Sequence, residues 1–101
     1  MRMLFNVARV RQLLKEKGKV YTVRKFADYD LIVFVKDIGV CKTERVIRVN
    51  RWDELKDFVA ESGFETLGEW IEAIEGFGCK EGKSYLYEVC IKQRKKGDRD
   101  V

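Results

Sequence analysis

The segment Lys17-Gly18-Lys19-Val20-Tyr21-Thr22-Val23-Arg24-Lys25 ends a helix and releases a strand. Upstream of it, Val7, Val10, Leu13 and Leu14 recur at the spacing of one helical face behind a candidate Asn6 cap, and a basic last turn precedes Gly18. Glycine is the residue that most readily takes the left-handed conformation closing a helix. Beyond it, Val20, Tyr21 and Val23 are β-branched or aromatic, so the basic stretch continues as a strand.

Working outward, the run Leu31-Ile32-Val33-Phe34-Val35 predicts a second strand after the polar Ala27-Asp28-Tyr29-Asp30. Lys36-Asp37-Ile38-Gly39 has turn chemistry, and from Cys41 to Val49 apolar and charged residues alternate, which predicts a long third strand buried on one face. Asn50 is placed to cap a helix whose apolar stripe is Trp52, Leu55, Phe58 and Val59. Thr66-Leu67-Gly68-Glu69 has capping-box spacing ahead of a third helix with Trp70, Ile71 and Ile74 inside. A last strand carries Tyr85, Tyr87, Val89 and Ile91 on one face. Strands grouped around a helical insertion, without regular βα alternation, indicate an α+β fold. The expectation is a small β-barrel with three flanking α-helices over residues 1–92 and a basic, flexible tail over 93–101.

The 101 residues suit one domain. Nearly half are hydrophobic and 38% are charged, the balance of a globular chain with a solvated surface. No apolar run nears the roughly 20 residues that span a bilayer, and the start lacks a signal-peptide core, so no membrane partner and a cytoplasmic location are expected. Cys41, Cys79 and Cys90 are odd in number and widely spaced, which fits reduced thiols rather than a disulfide framework or zinc knuckle. The chain has no histidine, which excludes any imidazole base within it. No cofactor or metal motif is present.

The net charge of +4 is unevenly spread. Residues 1–26 hold eight basic and one acidic residue, residues 51–76 two and eight, and residues 77–101 seven and four. Two basic ends folded together would make one surface that attracts a polyanion, opposite an acidic helical flank.

The strand Lys19 to Lys25 resembles that of the ASCH domains of the PUA-like superfamily, whose signature is Gly-x-Lys-Thr-x-Thr-x-Arg after the first helix. Gly18, Lys19, Thr22 and Arg24 match, with Val20 where the first threonine is usual. The resemblance extends through Asp30-Leu31-Ile32-Val33, the link Glu61-Ser62-Gly63-Phe64-Glu65-Thr66-Leu67 and the strand Tyr85-Leu86-Tyr87-Glu88-Val89, over most of residues 4–92. It implies a PUA-like barrel with a cleft between barrel and helices, and RNA as the partner.

The residues point the same way independently, because Arg and Lys form charge-assisted hydrogen bonds with phosphate and aromatic rings stack on unpaired bases. The candidate RNA-binding set is Lys19, Thr22, Arg24, Lys25 and Tyr29. Tyr21 shares a strand face with Val23 and reads as core, as do Trp52 and Trp70. An enzymatic alternative comes from the resemblance alone. One bacterial branch hydrolyses N4-acetylcytidine with a lysine and a threonine of this strand and a glutamate near the helical link. It implies a metal-independent amidohydrolase using Lys19, Thr22 and, with a one-residue shift from Ser62, Glu61. A protein partner for the acidic flank around Asp53, Glu54, Asp57 and Glu61 is a third reading.

Overall fold

In the computed structural model, which describes Phe5, residues 7–25 and residues 32–94, Gly18 closes the first helix as its position requires. Helix α1 spans Ala8–Lys17, and Gly18, at φ 78°, donates its N–H to the Leu14 carbonyl at 2.8 Å. A residue without Cβ takes that left-handed turn at least cost and delivers the chain directly into β1, Lys19–Arg24. Val7, not Asn6, occupies the N-cap position and provides no side-chain cap. Asn6 itself lies outside the described residues.

Strands β2 (Ile32–Val35), β3 (Gly39–Val49) and β4 (Ser84–Arg94) complete an antiparallel sheet of order β1-β4-β3-β2. The last strand is therefore interior. It is buried on both faces, at Tyr87 and Val89 on one and Leu86 on the other, where the alternation in sequence predicts a single apolar face. Gln93 and Arg94 continue β4 past the expected domain edge at residue 92, opposite Val40 and Gly39. The rest of the expected tail lies outside the described residues.

Cross-strand partners share a face, so the register defines two sides of the sheet. Val20, Thr22 and Arg24 stand with Val89, Tyr87 and Tyr85 on the first; Lys19, Tyr21 and Val23 stand with Cys90, Glu88 and Leu86 on the second. Helix α1 covers part of the first face through Val10 and Leu14, over Val20, Val33, Val35, Cys41 and Val89. A 3-10 helix, Trp52–Glu61, and helix α2, Leu67–Gly76, cover the second, joining Trp52, Leu55, Trp70 and Ile74 to Val23, Val49 and Leu86.

The second helix differs from its expected form. Residues three apart eclipse in a 3-10 helix, so Trp52, Leu55 and Phe58 form a straight stripe that Glu61 continues. Arg51 replaces Asn50 at its N-cap, and the Glu54 carboxylate accepts from the backbone N–H groups of Asn50 (2.9 Å) and Arg51 (3.4 Å). Helix α2 starts as its capping spacing predicts, with Thr66 Oγ1 accepting from the Glu69 N–H at 3.1 Å.

The expected barrel closure does not occur among the described residues. Closure requires β1 to pair with β2, and these are the two free edges, separated by β4 and β3. This four-stranded sheet instead buries its apolar sides under helices, one layer on each. No described helix is long and apolar enough to cross a membrane.

Candidate functional site

A cleft of about 290 Å³ follows the outer edge of β1, and residues of both strand faces, Tyr21 to Lys25, line it. One wall is Phe5, Val7 and Val10 at the start of the chain and α1. The opposite wall is Phe64 with Trp70, Ala73 and Ile74 of α2, then Phe77 and Cys79. The link between the 3-10 helix and α2 crosses the strand edge and joins the walls. Gly63, at φ 91°, passes so close to α1 that a Cβ there would lie 2.9 Å from both Cα and Cγ2 of Val10. The Arg9 guanidinium lies 5.1 Å from the Phe64 ring centroid and 3.3 Å from Glu69 Oε1, a second tie between α1 and this link.

The polar groups gather on the strand. Thr22 contributes a hydroxyl, and Arg24 and Lys25 contribute cations. The Arg24 guanidinium sits 4.8 Å from the Phe5 ring centroid, a distance at which cation and ring attract. Lys25 Nζ lies 3.4 Å from where a Cβ on Gly78 would stand, which sets it beside the Phe77 turn. Phe77 is 53% exposed although it lines the cleft. An apolar, aromatic wall with a few convergent polar groups is the usual chemistry of a small-ligand site.

Lys19 is elsewhere. It stands on the second face, with Nζ 3.4 Å from Glu61 Oε2, 3.9 Å from Glu88 Oε2 and 5.4 Å from the Tyr21 ring centroid. Its pKa is raised above the ordinary lysine value by Tyr21 first and by Glu61 next, so it is held as a cation and not tuned as a base. Tyr21 packs edge-on against Phe58, centroids 4.9 Å apart, and its hydroxyl donates to Glu88 at 3.0 Å. Burial, then that hydrogen bond, raises the Tyr21 pKa.

The 3-10 register thus brings Glu61 to Lys19, while Thr22 faces the opposite side of the sheet, beside Tyr87. Ser62, where the glutamate of the resemblance would fall, is 1% exposed and locked in a turn. Its hydroxyl donates to the Val59 carbonyl at 2.7 Å and accepts from the Phe64 N–H at 3.1 Å. Tyr29 lies outside the described residues. Among the described residues no cluster of His, Cys, Asp or Glu is placed to hold a metal.

The acidic helices do not stand opposite the basic N-terminal segment. They pair with it, at Arg9 with Glu69 and Lys19 with Glu61. The aromatic wall of Phe5, Phe64 and Phe77 was not foreseen from sequence. Phe77, an apolar residue isolated between Gly76 and Gly78, carried a signal; the other two carried none.

No protein-family model matches the chain, and no curated protein or solved structure matches it. Function therefore rests on the cleft itself.

Proposed function

We propose that this domain binds RNA, or a modified nucleotide of RNA, with one base held in the β1 cleft, as the resemblance to ASCH-type, PUA-like domains implies. The observation that carries the reading is the convergence of the Thr22 hydroxyl and the Arg24 and Lys25 cations on a wall that includes Phe5, Phe64 and Phe77. A nucleobase has two apolar faces that stack on aromatic rings, a polar edge that meets a hydroxyl, and a phosphate that meets cations. The cleft volume, about 290 Å³, is at the lower end of small-ligand pockets and suits an unpaired nucleotide, not a duplex. On this reading the open sheet and its helices are the described part of a PUA-like domain, working in the cytoplasm.

Titration of the protein with a fluorescent single-stranded RNA and with a duplex, each at two salt concentrations, tests the proposal. Binding that prefers the single strand and weakens with salt is expected. Failure to bind either RNA form or a free nucleotide overturns it. Unchanged affinity in an Arg24→Ala, Lys25→Ala double variant removes the cleft as the site.

Hydrolysis of an acylated nucleoside such as N4-acetylcytidine is the second reading. The 3.4 Å contact between Lys19 and Glu61 brings two of its three residues together, while the cationic state of Lys19 and the opposite facing of Thr22 weigh against it. Acetate release from N4-acetylcytidine that vanishes in Thr22→Ala, with affinity little changed, would establish it over simple binding.

A further inference from the structure

The register of β3 against β4 shifts between Arg45 and Ile47, leaving Val46 as an extra residue. Alternation along an unbroken strand would send Arg45 and Arg48, three residues apart, to opposite faces. A bulge changes that phase. Arg45 pairs with Tyr87 and Arg48 with Tyr85, so both arginines stand on the first face of the sheet. Arg24 on β1 pairs with Tyr85 from the other side.

Three arginines thus surround one tyrosine in adjoining rows. The Arg45 guanidinium lies 5.6 Å from the Tyr85 ring centroid, and Arg48 Nη2 donates to the Gly82 carbonyl at 2.9 Å, which holds it at the end of β4. Arg45 and Arg48 are exposed and Tyr85 is half-buried, while Tyr87, one row further in, is covered. The acidic residues of these strands, Glu44 and Glu88, are cross-strand neighbours on the second face. Strands β1 to β4 place no carboxylate on the first face, and Arg24 belongs both to the cationic row and to the cleft. Exposed Lys80 and Lys83 lie in the turn that leads into β4.

We infer that the face formed by Arg45, Tyr85 and Arg48 is a second nucleic-acid contact, which takes the phosphates of the single strand leaving the cleft past Arg24. The inference rests on the cleft reading and extends it from one nucleotide to a strand. Guanidinium groups flanking an aromatic ring suit alternating phosphate and base along a single strand, and charge complementarity selects a polyanion.

The test compares a nucleoside monophosphate with a single-stranded RNA of about 10 nucleotides, a length within the usual site sizes. In an Arg45→Ala, Arg48→Ala variant the monophosphate binds as in the parent. The RNA binds on the order of tenfold more weakly, and the logarithmic salt slope falls by about 1.4, roughly 0.7 for each phosphate no longer neutralised. The Arg45→Lys, Arg48→Lys variant retains most of the slope, which separates charge from any damage to the bulge. Tyr85→Ser lowers RNA affinity and leaves the slope unchanged.

Equal RNA affinity and slope in parent and alanine variant overturn this inference and leave the cleft reading standing. Loss of monophosphate binding in that variant also overturns it, because the effect then passes through the cleft. If the parent binds neither ligand, the cleft reading falls and this one with it. Polyglutamate bound as tightly as RNA, and released in the same variant, overturns the assignment to nucleic acid.

Discussion

Lys19 and Thr22 stand on opposite faces of β1, Lys19 beside Cys90 and Thr22 beside Tyr87. Lys19 is engaged by Glu61 and Glu88, away from the cleft, whereas Arg24 shares the side of Thr22 and lines the cleft with it. Lys19→Ala is therefore expected to leave RNA affinity close to that of the parent. Arg24→Ala is expected to weaken it and to reduce the salt slope by about 0.7. Parallel salt titrations of the two variants check the difference, and an effect of Lys19→Ala equal to that of Arg24→Ala contradicts it.

Phe77 lines the cleft while more than half exposed, so its ring supports a ligand more than it supports the core. Phe77→Ser should cost about 1–2 kcal/mol of nucleotide binding. Thermal unfolding should shift little, since exposed substitutions usually stay within about 0.5 kcal/mol. A large loss of stability with unchanged binding would place the ring in the core.

Gly63 and Gly76 predict opposite responses to alanine. At Gly63 the backbone is at φ 91° and a Cβ would meet the Val10 backbone at 2.9 Å, so Gly63→Ala should destabilise by at least about 2 kcal/mol. Gly76 ends α2 with nothing within 4 Å of an added Cβ, and Gly76→Ala should stabilise by up to about 1 kcal/mol. Urea denaturation of both variants reads the signs directly.

Burial, with a smaller contribution from Cys90, pushes the Cys41 thiol up to about 11 from its ordinary 9.0. The unfolded chain releases that proton first, so between the two values the folded state holds more protons and stability falls as pH rises. Cys79 and Cys90, also raised chiefly by burial, act in the same direction. The stability contributed by the Cys41 proton is intact below about pH 9 and lost by about pH 11, at no more than about 1.4 kcal/mol per unit. Denaturation midpoints across that window should fall in the parent and fall less steeply in Cys41→Ala.

Period and punctuation made much of the fold legible. Val10 and Leu14 repeat at helical spacing and are buried together, Gly18 stops the helix where its missing Cβ helps, and Thr66 caps α2 through its own hydroxyl. These are local choices, settled within a few residues by backbone sterics and side-chain reach. The form of the second helix was less legible, because Trp52, Leu55 and Phe58 satisfy a period of three and a period near 3.6 over so short a run. Of the candidate site, Thr22, Arg24 and Lys25 were found because a basic strand after a glycine turn is visible as a run. The aromatic wall was not, because Phe5, Phe64 and Phe77 come from three separate segments.

By itself the sequence determined that this chain is α+β, with a glycine-released basic strand, alternating strands and a capped helical insertion. Each of those features is written in neighbouring residues. Only the tertiary structure decided that β4 lies between β1 and β3, that the described sheet stays open, that Glu61 meets Lys19, and that Arg45 and Arg48 share a face. Those depend on register between strands distant in sequence and on one extra residue at Val46. Alternation along a single strand states which residues share a side, and it leaves open which strand they will stand beside.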